Sequence, residues 1–279
     1  MNARHKQGRI LPGFNITFGI TVLYLSLMVI LPLSMIVLHL ASGDTQAALT
    51  SLISPRVLHA LRLSFSLSLV AAFTNVIFGL LLAWILVRYR FPGRRLIDGV
   101  VDLPFALPTA VAGIALTTLY APNGWLGSLL SLWGIKAAFT PLGIYVALIF
   151  VGLPFVVRSV QPVLEDFDSE VEEASLSLGA GRVRTFFAVI LPVLWPSLLA
   201  GFSMAFARGL GEYGSVVFIS GNMPMKTEIV PLLIMNRLEQ FDYMGATSLG
   251  LLMLVVSFAL MFVANVLQAR LGERAAGVR

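Results

Sequence analysis

Leu63–Val87, LSFSLSLVAAFTNVIFGLLLAWILV, runs for 25 residues without one charged side chain. As a helix rising about 1.5 Å per residue it is about 37 Å long, more than the ~30 Å hydrocarbon core of a bilayer. It does not alternate over about 10 residues as a membrane-barrel strand must. Further charge-free runs lie at Ile10–Gly43, Leu103–Ile135, Ala137–Val157, Thr185–Ala207 and Tyr243–Ala269. Each exceeds the ~20 residues that a spanning helix needs.

Of the 279 residues, 58% are hydrophobic and 12% charged, and mean hydropathy is +0.90. A soluble domain carries roughly 25% charged residues, so this chain has too little polar surface to cover a globule, and the same figures exclude disorder. Cys 0 and 24 glycines without a period exclude disulfide-scaffold and collagen-like classes. The expected fold is an all-α polytopic membrane protein with six transmembrane helices near Phe14–Leu40, Leu63–Val87, Asp98–Tyr120, Leu142–Val157, Val193–Ile219 and Ala246–Gln268. Pro32, Pro104, Pro108 and Pro154 fall in or at the ends of these spans and predict kinks or breaks. The first span has an apolar body of about 27 residues, against 7–15 for a signal peptide, and reads as a retained helix.

Lys and Arg set the orientation. With both termini in the cytoplasm, 13 of the 19 basic residues fall inside, including Arg4, Lys6 and Arg9, Arg88–Arg95, Arg158, Arg182, Arg184, Arg270, Arg274 and Arg279. Outside lie Arg56, Arg62, Lys136, Lys226 and Arg237, so an N-in, C-in topology is expected. The net charge of +5 is thus an orientation signal and not a nucleic-acid patch.

One cytoplasmic loop, residues 158–192, holds nine charged residues, six of them acidic. Ser169 stands three residues before Glu172, the spacing of a capping box. Val171, Ala174, Ser175 and Leu178 follow helical spacing, and Gly179 can end the helix in a left-handed C′ conformation. A second stretch, Arg182–Leu191, is expected to end before Pro192. Six carboxylates beside an anionic leaflet favour docking on a protein over lying on the membrane.

Glu173-Ala174-Ser175, three residues, Gly179, nine residues and Val189-Ile190-Leu191-Pro192 resemble the E-A-A-x3-G-x9-I-x-L-P loop of bacterial ABC-importer permeases of type 1. The departures are Ser175 and Val189. Arg88–Arg94, Asp102–Gly113 and Arg208–Gly214, with the extra first helix, resemble the T-type permease of sulfate/thiosulfate importers over essentially the whole chain. The resemblance implies a bacterial inner-membrane permease subunit that imports sulfate and thiosulfate. It implies a permease core at 60–265, preceded by residues 1–59 and followed by a cytoplasmic tail at 266–279. Its loop, with Glu172, Glu173, Ala174, Gly179, Leu191 and Pro192, would couple the spans to a separate ATPase. The implied partners are ATP-binding subunits, a second, related permease forming a heterodimer, and a periplasmic sulfate-binding protein. Molybdate or another oxyanion is the alternative substrate, and a self-sufficient secondary transporter the alternative class.

Without a G-x-x-x-x-G-K-[ST] loop the chain has no P-loop for ATP. Gly209–Gly214 fits G-x-G-x-x-G but follows no strand, so its glycines read as close packing or a local break. His5, His39 and His59 are scattered, so neither a metal site nor a catalytic or cofactor site is expected. Arg208 lies inside the fifth span with Glu212 one turn away. The pair reads either as a structural ion pair or as part of the path, with Arg208 offering a transient cation to a dianion and Glu212 easing its release. Asp102 reads as structural at the interface. Outside, Met223–Tyr243 predicts a short helix around Ile229–Met235 that seals the bundle or receives the binding protein.

Overall fold

The computed structural model describes residues 14–43 and 45–276, so Arg4, Lys6, Arg9 and Arg279 lie outside the described residues. Among those described, every regular element is helical. α1 (Phe14–Leu25), a π-turn (Ser26–Ile30) and α2 (Leu31–Ser42) form one rod, and Pro32 sits harmlessly in the first turn of α2. α3 (Thr45–Leu52) leads to α4 (Pro55–Arg88), which Ser54 caps by accepting the Val57 N–H at 3.4 Å. The expected boundaries at 60 and 265 therefore fall inside α4 and the last helix rather than between elements.

The third expected span is not one helix. It is split into α5 (Arg94–Val101), α6 (Leu103–Ala106) and α7 (Thr109–Tyr120). The break is at Leu107, whose φ of −88° and ψ of 136° are extended, because the ring of Pro108 excludes the helical region for its predecessor. α7 alone, at about 18 Å, is too short to cross. α8 (Trp125–Ser131) folds over its outer end, and α9 (Pro141–Glu165) returns with Pro154 and Pro162 inside it. α10 (Ser169–Ser177) and α11 (Arg182–Thr185) form the cytoplasmic loop. A π-turn (Phe186–Ile190) then runs straight into α12 (Leu191–Leu210).

The fifth expected span, Val193–Ile219, is also corrected: α12 ends at Leu210, and the chain unwinds over 211–213 before α13 (Gly214–Ile219). α14 (Val230–Glu239) and α15 (Tyr243–Ala276) complete the order. Five helices among the described residues are long and apolar enough to cross a membrane: Ile16–Ser42, Pro55–Arg88, Pro141–Glu165, Arg182–Leu210 and Tyr243–Val266. The chain is thus an all-α polytopic membrane protein, with its sixth apolar passage broken.

The centre is the packing of α4, α9 and α12, with α15 against α12 and α7 against α13. Lipid offers no hydrophobic drive between helices, so close approach of small residues must hold them. Ala71, Ala72, Gly79 and Ala83 of α4 and Gly152 of α9 are buried, as are Gly201, Ala205 and Gly209 of α12. A Cβ on Gly201 would lie 2.8 Å from the Val156 Cα, so only glycine allows this crossing. Outward-facing Phe73, Ile77, Phe78 and Leu81 are exposed, as a lipid-facing surface requires.

Candidate functional site

α10 starts and stops by identifiable local chemistry. The cap is Asp168, whose Oδ1 accepts the Glu170 N–H at 2.9 Å, rather than the Ser169–Glu172 box expected from spacing. Asp168 outcompetes Ser169 by one residue, and the Glu172 carboxylate is drawn away to the Arg88 guanidinium. At the other end Gly179 has φ 84°, its N–H donates to Leu176 O at 2.9 Å, and the Ala180 N–H reaches Ser175 O at 3.1 Å. This is a Schellman motif, as expected for Gly179.

Two attachments fix α10 to the spans. Arg88, the last residue of α4, pairs with Glu172 while its guanidinium lies 5.2 Å from the Trp84 ring and 5.8 Å from the Phe167 ring. Ser175 and Thr185 share a hydroxyl–hydroxyl bond of 3.0 Å. With Glu172 and Ser175 turned inward, Val171, Glu173, Ala174 and Leu178 are exposed, Leu178 at 89%. The apolar residues of α10 therefore point away from the rest of the chain.

Leu191 and Pro192 do not terminate the second stretch. Arg182–Leu210 is one continuous 29-residue passage. Pro192 falls in the first turn of α12, directly after the π-turn, in which Leu191 N–H donates to Phe186 O. The missing Pro192 N–H is accommodated where the ladder already departs from α geometry. Leu191 packs on the core and Pro192 is exposed.

Arg208 and Glu212 are brought together, with Nη1 to Oε2 at 2.5 Å. Their surroundings are unequal: Glu212 is 1% exposed and the Arg208 side chain 33%. The other carboxylate oxygen of Glu212 accepts from both the Ser215 N–H and the Ser215 hydroxyl at 2.8 Å. Glu212 thus holds the start of α13 with one oxygen and neutralises Arg208 with the other. The surrounding glycines pack closely: a Cβ on Gly209 would meet Ser68 and one on Gly214 would meet Thr109.

Three polar centres were not singled out from sequence. Arg158 uses all five donors: Nε and Nη2 grip Asp102 at 2.9 and 2.7 Å, Nη1 reaches Asp98 at 2.7 Å and Gln161 at 2.6 Å, and Nη2 also reaches Asp98 O at 2.9 Å. This ties the broken α5–α6 segment to α9 and makes Asp102 structural, as read from its position. With its amide turned so that both of its atoms find partners, Asn75, 1% exposed, donates to Ile149 O at 3.2 Å and accepts from Leu153 N at 3.3 Å, just before Pro154 in α9. At the opposite end Arg56 grips buried Glu228 at 2.6 and 2.7 Å, and Asn236 donates to the same carboxylate at 2.8 Å. That network seats α14, where Val230, Leu232 and Leu233 are buried, so the predicted outer helix is present and packs onto the bundle.

The chain matches the family model of the binding-protein-dependent transport system inner membrane component over residues 75–277. It is 46% identical over 269 residues to the sulfate transport system permease protein CysT of Salmonella typhimurium, covering 96% of this chain and 97% of that one. Against the protein of the same name from Escherichia coli (strain K12) identity is 47%, with the same coverage. Among solved structures it resembles a bacterial ABC transporter involved in import of the acidic polysaccharide alginate, with TM-score 0.76, 15% identity and coverage of 92% and 95%. It also resembles the MetNI methionine ABC transporter, with TM-score 0.54, 18% identity and coverage of 78% and 95%. These likenesses show the fold, and the family match with the apolar helices shows a multi-pass inner-membrane transport permease. The chain belongs to the family of binding-protein-dependent transport system inner membrane components.

Proposed function

We propose that this chain is the permease subunit of an ABC importer that carries sulfate and thiosulfate from periplasm to cytoplasm. It hydrolyses nothing itself and takes its drive from a separate ATP-binding subunit. The observation that carries the coupling role is α10, a helix capped at both ends, pinned through Glu172 and Ser175, and showing its apolar side outward. Such a surface on the cytoplasmic side fits a protein groove, while a rigid helix passes displacement to the spans as a body. Glu172, Glu173, Ala174 and Gly179 belong to this element, and Leu191 and Pro192 to the rod that carries its motion. The core is 60–265, with both termini cytoplasmic. The full names of the 46–47% identical relatives support sulfate as the substrate. A solved likeness includes an alginate importer in complex with a substrate-bound periplasmic protein, which supports a periplasmic binding protein as partner. A second, different permease completes the pathway.

The test is sulfate uptake in a permease-deficient strain, compared with molybdate, for wild type, Gly179→Val and Gly179→Asn. Open space surrounds Gly179, so only its positive φ is at stake. A β-branched residue there costs about 1–2 kcal/mol and unwinds the helix end, while asparagine tolerates it. The Gly179→Val protein should reach the membrane but lose uptake and ATPase stimulation, and the Gly179→Asn protein should retain both. Full activity of the valine variant refutes the coupling assignment; uptake of molybdate alone refutes the substrate.

A further inference from the structure

Two hollows lie in line along the seam between α4 and the Arg182–Leu210 rod and together mark out a furrow. The one near mid-membrane is lined by Phe73 and Val76 with Trp195, Leu198 and Phe202. The one towards the cytoplasmic end is lined by Leu80 and Trp84 with Val183, Phe187 and Arg182. Positions 73, 76, 80 and 84 are spaced by three and four, so one face of α4 forms the whole wall. From Phe73 to Trp84 it extends about 16 Å at ~1.5 Å per residue, the ~15 Å depth of one leaflet of a ~30 Å core. The lining carries no carboxylate.

At its cytoplasmic end the furrow meets two cations. Arg182 lines both this furrow and an adjoining hollow that Arg184 also lines. Both arginines are exposed, and neither has an ion pair or side-chain hydrogen bond among the described residues. The carboxylate on the inner side of α10, Glu172, is engaged by Arg88. A one-leaflet apolar groove ending in two free guanidiniums at the headgroup level is complementary to a phosphate-bearing lipid of the cytoplasmic leaflet.

We propose that this seam is a binding site for an anionic diacyl phospholipid, with Arg182 and Arg184 taking the headgroup phosphate and an acyl chain lying from Trp84 to Phe73. Its placement in the cytoplasmic leaflet rests on the orientation given above; the substrate and the ATPase do not enter it. The lipid would fill the seam between α4 and the rod that carries α10, so its presence stiffens that seam.

Trp84 reports on the furrow. The intact transporter is reconstituted with lipid brominated on its acyl chains, as phosphatidylglycerol or phosphatidylcholine. The Trp84 signal is the fluorescence difference between wild type and Trp84→Phe. Two surface cations favour an anionic headgroup by about tenfold or more, so brominated phosphatidylglycerol should quench Trp84 at about one-tenth the mole fraction of phosphatidylcholine. Arg182→Gln with Arg184→Gln should erase that preference while leaving Trp84 quenchable. Equal quenching by both lipids in the wild type overturns the proposal. So does a preference that survives the double substitution. Shielding of Trp84 from both lipids also overturns it, and assigns the seam to the second permease. Uptake plays no part in the readout, so failure here is distinct from failure of the transport reading.

Discussion

Replacing Arg208 by leucine tests whether a charge inside the bilayer serves structure or transport. The two partners are not equivalent, since Glu212 is 1% exposed and the Arg208 side chain 33%. Removing Arg208 leaves a buried carboxylate with only Ser215 as partner, which costs about 3–5 kcal/mol, roughly two to nearly four powers of ten in the folding equilibrium. Removing the charge of Glu212 instead leaves a cation that one-third exposure lets water or headgroups reach. Glu212→Gln also keeps an acceptor for Ser215, so about 1–2 kcal/mol is expected. In Arg208→Leu with Glu212→Gln no charge remains, and the pair should cost about 2 kcal/mol less than Arg208→Leu alone. The assay is the thermal midpoint of the detergent-extracted complex for all four proteins, with labelled sulfate uptake in the same membranes. A purely structural pair restores uptake along with stability in the double variant. An anion-path role for Arg208 restores stability and leaves uptake absent. Equal destabilisation by the two single variants, or no rescue in the double, refutes the reasoning from unequal burial.

Three further outcomes are expected. Arg158→Leu strips Gln161, which is 9% exposed, of its donor and frees two part-exposed carboxylates. About 2–4 kcal/mol should be lost, against about half that for Arg158→Lys, read as loss of thermal stability; an unchanged midpoint shows the hub to be idle. Gly113→Val places a Cβ 2.5 Å from Ser215 O, so α7 and α13 must part at about 1–3 kcal/mol, whereas Gly99→Ala, in open space, should be silent in the same melt. Asn75→Leu abandons Ile149 O and Leu153 N inside the packed bundle and should cost about 1–3 kcal/mol, with protease cleavage in α9 rising; unaltered cleavage shows that Asn75 does not hold α9 together at Pro154.

The spans were legible because bilayer thickness sets a length that charge-free runs either reach or miss. The interruptions were only half legible. Pro104 and Pro108 announced a break, but its place depended on Leu107, and the unwinding at 211–213 on what Glu212 and Ser215 do together. Local patterns succeeded where nothing distant competed, as at Gly179. They failed at Glu172, because its stronger partner, Arg88, lies 84 residues away. Arg158 passed as one more cytoplasmic charge, since its carboxylates are 56 and 60 residues off along the chain. Pro192 misled because it stands in the first turn of α12, directly after a π-turn, where its missing N–H does not end the rod.

That π-turn sets a phase. Phe186–Ile190 holds the wider five-residue hydrogen-bond ring, closed from Leu191 N to Phe186 O, between Thr185, which faces α10, and Arg208 at the far end of the rod. Excising one residue there would restore an ordinary α-turn and leave the helix unbroken. Because the wider ring closes one turn with one more residue, that excision would leave the two flanking segments nearly in phase, whereas excision of one residue from the α-helical part of α12 would rotate them by about 100° relative to each other. In the second case Thr185 would swing off Ser175 while Arg208 still met Glu212. Two halves, each correctly folded, would then be out of step, so the rod tolerates a change of length at the π-turn that α12 does not.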